Sequence, residues 1–102
     1  MRIIWTKEAQ EDLENIFRFW ASKNEPYSAR LYNSLIDEAE VLRRFPEIGA
    51  LERFLTHRQE QFRSLLANKY YKLIYTMESD DVVIHAVWDC RRNPDTLTAE
   101  TR

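Results

Sequence analysis

The sequence of 102 residues contains one cysteine, Cys90, one glycine, Gly49, and three prolines. A single cysteine excludes an internal disulfide and a cysteine-based zinc cluster. Linkers and low-complexity segments are usually richer in glycine and proline, so neither is expected here. No apolar run approaches the ~18 residues of a membrane span, and the charged start of the chain lacks the apolar centre of a signal peptide. We therefore expect one soluble, cytoplasmic domain.

The sequence also lacks a strong excess of either charge. It carries 15 Lys and Arg against 17 Asp and Glu, which gives a formal net charge of −2. Residues 1–60 hold 9 basic and 11 acidic side chains, and residues 61–102 hold 6 of each. Binding of a nucleic acid must therefore depend on a local cluster of cations. Because no P-loop, GxGxxG, HExxH or EF-hand pattern is present, neither a cofactor nor a metal ion is expected.

Hydrophobic periodicity predicts the element order βααβββ. Arg2 to Trp5 is typical of a strand, and Thr6 is a suitable N-cap for an amphipathic helix from residue 7 to about residue 23. A second helix begins near Pro26 and stops at Phe45-Pro46. After an irregular segment, strands are predicted over residues 61–66, 69–77 and 82–89. The pattern indicates an α+β fold in which a helical hairpin packs on one face of a small, antiparallel-rich sheet.

The turns predict how the last three strands pair. A first hairpin closing at Ala67-Asn68 places Arg63 opposite Lys72. A second hairpin closing with Met77 opposite Val82 places Lys72 opposite Val87. Alternation of side chains then assigns ten residues to the face against the helices: Phe62, Leu66, Tyr71, Leu73, Tyr75, Met77, Val82, Ile84, Ala86 and Trp88. The other face is predicted to hold Gln61, Arg63, Leu65, Tyr70, Lys72, Ile74, Thr76, His85, Val87, Asp89 and Arg91.

This predicted register brings like charges together on the open face. Arg63 beside Lys72 costs stability unless an anion lies between them. One interpretation is that an acidic side chain of the chain itself neutralises them, namely Asp89, Glu52 or Glu60. The other is that the cluster receives a phosphate or a carboxylate of a partner. Arg91, and less directly His85, would complete such a patch.

Three stretches carry a resemblance to a known family. They are Phe45–Gly49 (FPEIG), the pair Phe62–Leu65 and Tyr71–Tyr75 (FRSL and YKLIY), and Trp88–Pro94 (WDCRRNP). In this order and at these spacings they resemble toxins of the RelE/ParE superfamily, which belong to bacterial type II toxin–antitoxin modules. The resemblance covers residues 2–94, so residues 1–94 are predicted to form the toxin domain and residues 95–102 a C-terminal tail.

The resemblance implies a growth-inhibiting toxin with a role in plasmid stabilisation, neutralised by an antitoxin encoded beside it. ParE-like members act on DNA gyrase and are not nucleases, and this is the predicted function. RelE-like members instead cleave mRNA in the ribosomal A site, which is the first alternative. The second alternative is an inactive member that only binds the antitoxin. A homodimer and a hetero-oligomer with the antitoxin both remain open.

The two active alternatives use the candidate residues differently. The partner-binding residues are predicted to be Arg63, Tyr70, Lys72, Asp89 and Arg91. If the chain is RelE-like, the resemblance makes Arg63, Lys72 and Arg91 catalytic, with His85 a weaker candidate. Many RelE-like nucleases have a Tyr or a His-Tyr pair in the tail, and residues 95–102 have neither. Four side chains could replace it as acid or base, and spacing selects none of them: His85, Glu52, Glu60 and His57.

The remaining polar residues have ordinary structural interpretations. Cys90 is predicted to be a small buried hydrophobe, because no His is placed beside it. The acidic groups of both helices are predicted to form solvated faces: Glu11, Asp12 and Glu14, and Asp37, Glu38 and Glu40. Arg43 and Arg44 suit the negative end of the second helix dipole.

Overall fold

The computed structural model of this chain describes residues 1–55 and 60–92. Three predictions therefore concern residues outside the described part: a role for His57, the final Asn93-Pro94 of the last motif, and the tail of residues 95–102. Within the described part, no helix is long and apolar enough to cross a membrane.

The protein has two helices on a five-stranded mixed sheet. The strands are β1 (Arg2–Trp5), β2 (Ala50–Leu51), β3 (Arg63–Leu66), β4 (Tyr71–Glu78) and β5 (Asp81–Asp89), and the helices are α1 (Lys7–Ala21) and α2 (Glu25–Glu40). The sheet order is β1-β5-β4-β3-β2, with β1 parallel to β5 and the other pairs antiparallel. The α+β class and the helical hairpin are as predicted. The two-residue strand β2, which has no alternating pattern of its own, was not predicted.

Side-chain caps fix where the helices begin. The Thr6 hydroxyl accepts a hydrogen bond from the Ala9 N–H at 3.1 Å, and the Asn24 carboxamide accepts from the Tyr27 N–H at 3.1 Å. Such caps each stabilise a helix by about 1 kcal/mol. The predicted N-cap at Thr6 is confirmed, and Pro26 lies in the first turn of α2, as predicted.

Each face of the sheet has its own apolar core. The helices and one face bury a larger cluster that includes Leu13, Leu35, Leu42, Leu73 and Ile84. A smaller cluster of Leu55, Phe62, Ile74 and Trp88 lies on the opposite side, with Phe54 and Ala86 packed against it. The prediction of one covered face was therefore incomplete. The segment between β2 and β3 contributes Phe54 and Leu55 to the second face, and this segment had no periodic pattern.

The β3–β4 register differs from the prediction. Arg63 lies opposite Tyr75, and Lys72 lies opposite Leu66, so the predicted pairing of Arg63 with Lys72 is wrong. The cause is the loop between the strands. The Asn68 side-chain oxygen accepts the N–H groups of Tyr70 and Tyr71 at 2.9 and 3.1 Å, which centres the loop on residue 69.

A β-bulge shifts the second half of β5. Met77 lies opposite Val82 as predicted, but the register changes between Tyr75 and Ile74, so that Lys72 lies opposite Trp88 and not Val87. The extra residue on β5 is His85, and it moves every following side chain to the other face. The predicted faces are consequently wrong for Ala86 and Trp88, which join the smaller cluster, and for Val87, which joins the helix-side cluster. The prediction for Asp89 is wrong in the same way, because Asp89 lies with Val87 on the side of α1 and not on the open face.

The β3 segment also departs from its predicted faces. Phe62 lies in the smaller cluster, whereas Leu65 packs against the helix-side cluster. Leu66 was predicted to be in the core but is 62% exposed. Tyr70, predicted on the open face, is partly buried against the helix-side cluster.

Candidate partner-binding site

Arg63 ties the loop before β2 to the sheet. Its Nη1 donates to the Gly49 carbonyl at 2.8 Å and to the Glu47 carbonyl at 3.4 Å. Its Nε is buried and has no hydrogen-bond partner within the described residues. Because Arg63 and Lys72 are not opposite each other, the predicted pair of adjacent cations does not form. A partner contact through Arg63 stays a prediction.

Tyr75 holds the same loop from the core. Its hydroxyl donates to the Pro46 carbonyl at 2.8 Å and accepts from the Gly49 N–H at 2.9 Å. Burial raises the pKa of the Tyr75 phenol above its usual range, so it remains a donor at neutral pH. The close approach requires glycine, because a Cβ at Gly49 would lie 2.6 Å from the Tyr75 hydroxyl and 2.7 Å from the Ser64 carbonyl oxygen.

Lys72 is neutralised by a buried carboxylate. Its Nζ lies 2.6 and 3.0 Å from the two Glu52 oxygens. Glu52 is 3% exposed and the Lys72 side chain 16% exposed. The ammonium also lies 5.6 Å from the centre of the Phe54 ring. The interpretation in which an internal acid neutralises this cation is correct for Lys72, and Glu52 is committed to that pair. Contact of Lys72 with a partner stays a prediction.

Asp89, Arg91 and Tyr70 form one group at the end of β5. The Arg91 guanidinium donates to both Asp89 oxygens, from Nε at 2.9 Å and from Nη2 at 2.8 Å. The guanidinium carbon lies 4.5 Å from the Tyr70 ring centre. The hydrogen bond from Arg91 lowers the pKa of Asp89 and raises that of Arg91, so both remain charged at neutral pH. Three of the five predicted partner-binding residues are therefore brought together.

This group borders a cleft of about 220 Å³ between α1 and the end of β5. The cleft is lined by Asp12, Asn15, Ile16, Phe19, Tyr71, Val87, Asp89, Arg91 and Arg92. Asp12 was predicted to be solvated, but its carboxylate accepts the Val87 N–H at 2.9 Å. It does so because β1 pairs with β5 only as far as Ile84, so α1 supplies the next acceptor along that edge.

The α1 side of the cleft was missed by sequence reasoning. The signal was present in the spacing: Asp12, Ile16 and Phe19 recur at intervals of four and three and so share one helix face. That face lies beside the core stripe of Ala9 and Leu13. The prediction of a solvated acidic face considered only the charges of the α1 side chains and not the apolar residues that share the helix face with Asp12.

His85 lies apart from this cleft. Its Nε2 is 2.9 Å from the Thr76 hydroxyl and 3.7 Å from a Glu78 oxygen. A second cleft contains it, with described lining residues Glu60, Gln61, Phe62, Thr76, Met77, Glu78 and His85. None of the cations predicted to be catalytic belongs to that lining. Among the described residues, His85 therefore does not share a cleft with Arg63, Lys72 or Arg91, as the prediction of a common catalytic site required.

Cys90 and groups of possible metal ligands are the remaining candidates for chemistry. Cys90 is exposed in the turn after β5, so the prediction that it is buried is wrong. Its backbone N–H donates to the Tyr70 carbonyl at 2.7 Å. Desolvation of the sulfur raises the thiol pKa, the opposite of nucleophile activation. Among residues 1–55 and 60–92, no three His, Cys, Asp or Glu side chains could together hold a metal ion.

A helical hairpin on a mixed, mostly antiparallel sheet is an α+β architecture that this chain shares with a solved structure. A solved chain described as "Chromosomal ParDE TA system from P. aeruginosa" matches with a TM-score of 0.73 and 15% identity, over 87% of this chain and 95% of that chain. That likeness shows the fold. The profile of the family described as ParE toxin of type II toxin–antitoxin system, parDE, matches residues 3–94. This chain therefore belongs to the ParE toxin family. Among curated proteins, no match is found.

Proposed function

We propose that this protein inhibits growth by acting on DNA gyrase in the cytoplasm, without nuclease activity, and that a cognate antitoxin neutralises it. A role in plasmid stabilisation follows where such a module lies on a plasmid. Membership of the ParE family supports the class of toxin. The observation that supports the non-nuclease assignment is that Arg63, Lys72 and Arg91 each bind a different internal partner.

RNA cleavage needs these cations to converge. The ribose 2′-OH must lose a proton as it attacks the phosphate, the leaving oxygen must gain one, and cations must stabilise the crowded phosphate. Here Lys72 is bound by the buried Glu52, and Arg91 by both oxygens of Asp89. Freeing either cation for a phosphate would leave a carboxylate unpaired, and for the buried Glu52 that costs several kcal/mol, on the order of 3.

The antitoxin contact is proposed at the group of Tyr70, Asp89 and Arg91 and the adjoining cleft. Arg91 is held in one conformation by the two hydrogen bonds to Asp89 and by the Tyr70 ring. A preordered arginine beside an aromatic ring loses little side-chain entropy on binding, and such residues dominate many interfaces. On the α1 side, Phe19 is 51% exposed and offers an apolar contact.

Two purified systems separate the candidate functions. DNA supercoiling by purified gyrase is expected to fall as this protein is added, while translation of a reporter mRNA in a purified ribosomal system is unchanged. Cleavage of the mRNA within ribosomes would instead establish the RelE-like alternative. Inhibition of neither system, with the folded protein still binding its antitoxin, would establish the inactive binding module and contradict the proposal.

A further inference from the structure

The two edges of the sheet are protected to different degrees. At the β1 edge, the Gln10 side chain donates to the Trp5 carbonyl at 3.0 Å. Arg43 Nη1 donates to the Met1 carbonyl, just before the same strand, at 3.4 Å. Side chains that occupy edge groups in this way prevent the addition of another strand. At the β2 edge, within the described part of the chain, no side chain bonds to the backbone of Leu51, and both residues of the strand are exposed.

Leu51 directs its backbone groups away from the sheet. The Glu52 N–H donates to the Phe62 carbonyl at 2.8 Å, and Ala50 lies opposite Ser64 two residues further along the same ladder. Alternate residues of an antiparallel strand form hydrogen bonds to the neighbouring strand, so Leu51, between Ala50 and Glu52, does not. Its N–H and C=O therefore point outward and offer one donor and one acceptor at the edge.

The edge is too short for a long foreign strand. On one side of Leu51, the Gly49 N–H is bound to the Tyr75 hydroxyl and the Gly49 carbonyl to the Arg63 guanidinium. On the other side, the chain turns into the 3₁₀ helix Arg53–Leu55. In a hydrogen-bonded antiparallel pair, two residues that lie opposite each other exchange both of their bonds. Two copies of Leu51 related by a two-fold axis would thus satisfy each other completely.

Large apolar side chains surround this edge. Leu51 and, in the loop before β2, Phe45 and Ile48 are each more than half exposed. The loop backbone is fixed by the hydrogen bonds of Tyr75 and Arg63, so these side chains are presented on a rigid support. Exposed apolar groups that lie close together mark a surface for contact with another protein.

The charges beside the apolar groups are of opposite sign. A cleft of about 370 Å³ in the same loop is lined by Arg44, Phe45, Pro46, Glu47 and Ile48. A two-fold interface brings the same surface of both copies together, so that residue i contacts residue j and j contacts i. A surface that carries Arg44 and Glu47 side by side is complementary in charge to a copy of itself.

We propose that two copies of this chain associate through the β2 edge and the adjoining loop, with the two Leu51 residues paired. The pairing joins the two five-stranded sheets into one. This surface does not include Asp89 or Arg91, so the proposed antitoxin contact stays accessible in the dimer. The proposal is independent of the cellular target of the toxin.

Sedimentation equilibrium of the purified toxin over a range of concentrations tests the dimer. The mass of the parent is expected to rise from that of one chain toward twice that value. Leu51→Asp would place two carboxylates against each other and is expected to remain monomeric over the same range. Ile4→Asp, at an exposed apolar residue of the opposite edge strand, is the matched control and is expected to dimerise like the parent. Circular dichroism verifies that both variants fold.

An exchange of charges tests the orientation of the two copies. Arg44→Glu alone and Glu47→Arg alone should each weaken self-association by about fivefold, because like charges then meet across the axis. An equimolar mixture of these two variants should recover the association of the parent, since every contact again joins opposite charges. This recovery does not depend on the behaviour of Leu51→Asp.

Three results would overturn the proposal. The first is a parent that stays monomeric over the whole range. The second is a Leu51→Asp variant that dimerises as the parent does, and the third is a mixture of the charge variants that associates no better than either variant alone. A monomeric parent whose antitoxin affinity falls on Leu51→Asp would assign the edge to the antitoxin instead.

Discussion

The Arg91 guanidinium donates two hydrogen bonds to the carboxylate of Asp89, two residues earlier in the chain, from Nε at 2.9 Å and from Nη2 at 2.8 Å. The Arg91 backbone N–H adds a third hydrogen bond to the same side chain at 2.9 Å. This turn follows β5 directly and fixes a cation at the mouth of the cleft against α1. A side chain held in this way needs little rearrangement to bind a partner.

Removing the Arg91 side chain is expected to weaken antitoxin binding. Arg91→Ala should reduce the affinity by about tenfold or more, as arginines anchored at interfaces often do. The measurement is calorimetry with the cognate antitoxin. Arg30→Ala removes an exposed cation from α2 and should leave the affinity unchanged. Equal affinities for Arg91→Ala and Arg30→Ala would remove Arg91 from the interface.

The Asp89–Arg91 pair predicts a dependence of stability on acid pH. Because the Arg91 hydrogen bond lowers the pKa of Asp89 in the folded state, its contribution is present above the unfolded value near 3.9 and is lost as the pH falls further. Asp89→Asn should cost less than about 1 kcal/mol at pH 7, since the partner Arg91 is half exposed. In urea unfolding, this difference should shrink below about pH 4. A difference that stays constant down to pH 2.5 would refute the assignment.

Much of the fold could be predicted because its signals are local. Thr6 and Pro26 mark the helix starts, and the spacing of residues such as Leu13 and Leu35 gives the buried helix faces. The parallel pairing of β1 with β5 involves strands nearly eighty residues apart, and no local pattern records it. The short strand at Ala50–Leu51 exists only because β3 lies beside it.

The candidate site was predicted only in part, because only some of its contacts join residues that are close in the sequence. Asp89 and Arg91 are two residues apart, so their proximity is local. The supposed pairing of Arg63 with Lys72 depended on a register that one side chain changed, because Asn68 recentred the loop. The bulge at His85 carries no glycine or proline signal, and it reversed the faces of all later β5 residues. Errors in register thus accumulated away from the turns.

The buried pair of Lys72 and Glu52 predicts strongly non-additive mutations. Lys72→Ala should destabilise the protein by about 3 kcal/mol, because it leaves the Glu52 carboxylate buried without its cation. The double variant Lys72→Met and Glu52→Gln should cost less than Lys72→Ala alone, since no buried charge remains. Chemical unfolding of the variants measures both. If the double variant is less stable than Lys72→Ala, the pair is not the source of the effect.

This pair also decides how a loss of toxicity should be interpreted. If the double variant folds and remains toxic while Lys72→Ala is inactive, Lys72 acts through stability. If the double variant folds but loses antitoxin affinity, the predicted partner contact of Lys72 is supported.

Gly49 is expected to tolerate no side chain. Gly49→Ala places a Cβ against the Tyr75 hydroxyl and the Ser64 carbonyl, and overpacking of this kind costs about 2 kcal/mol. Adding Tyr75→Phe removes only the first of these contacts, so it should not restore wild-type stability. Thermal unfolding checks both variants. A Gly49→Ala protein as stable as the parent would show that the loop can move away from β3 without cost.

Viable counts after induced expression, with and without co-expression of a cognate antitoxin, test the central claim most directly. The proposed function predicts that induction alone lowers the count, with filamentation and DNA damage, and that co-expression of the antitoxin restores it. Unimpaired growth on induction of folded protein would contradict the claim.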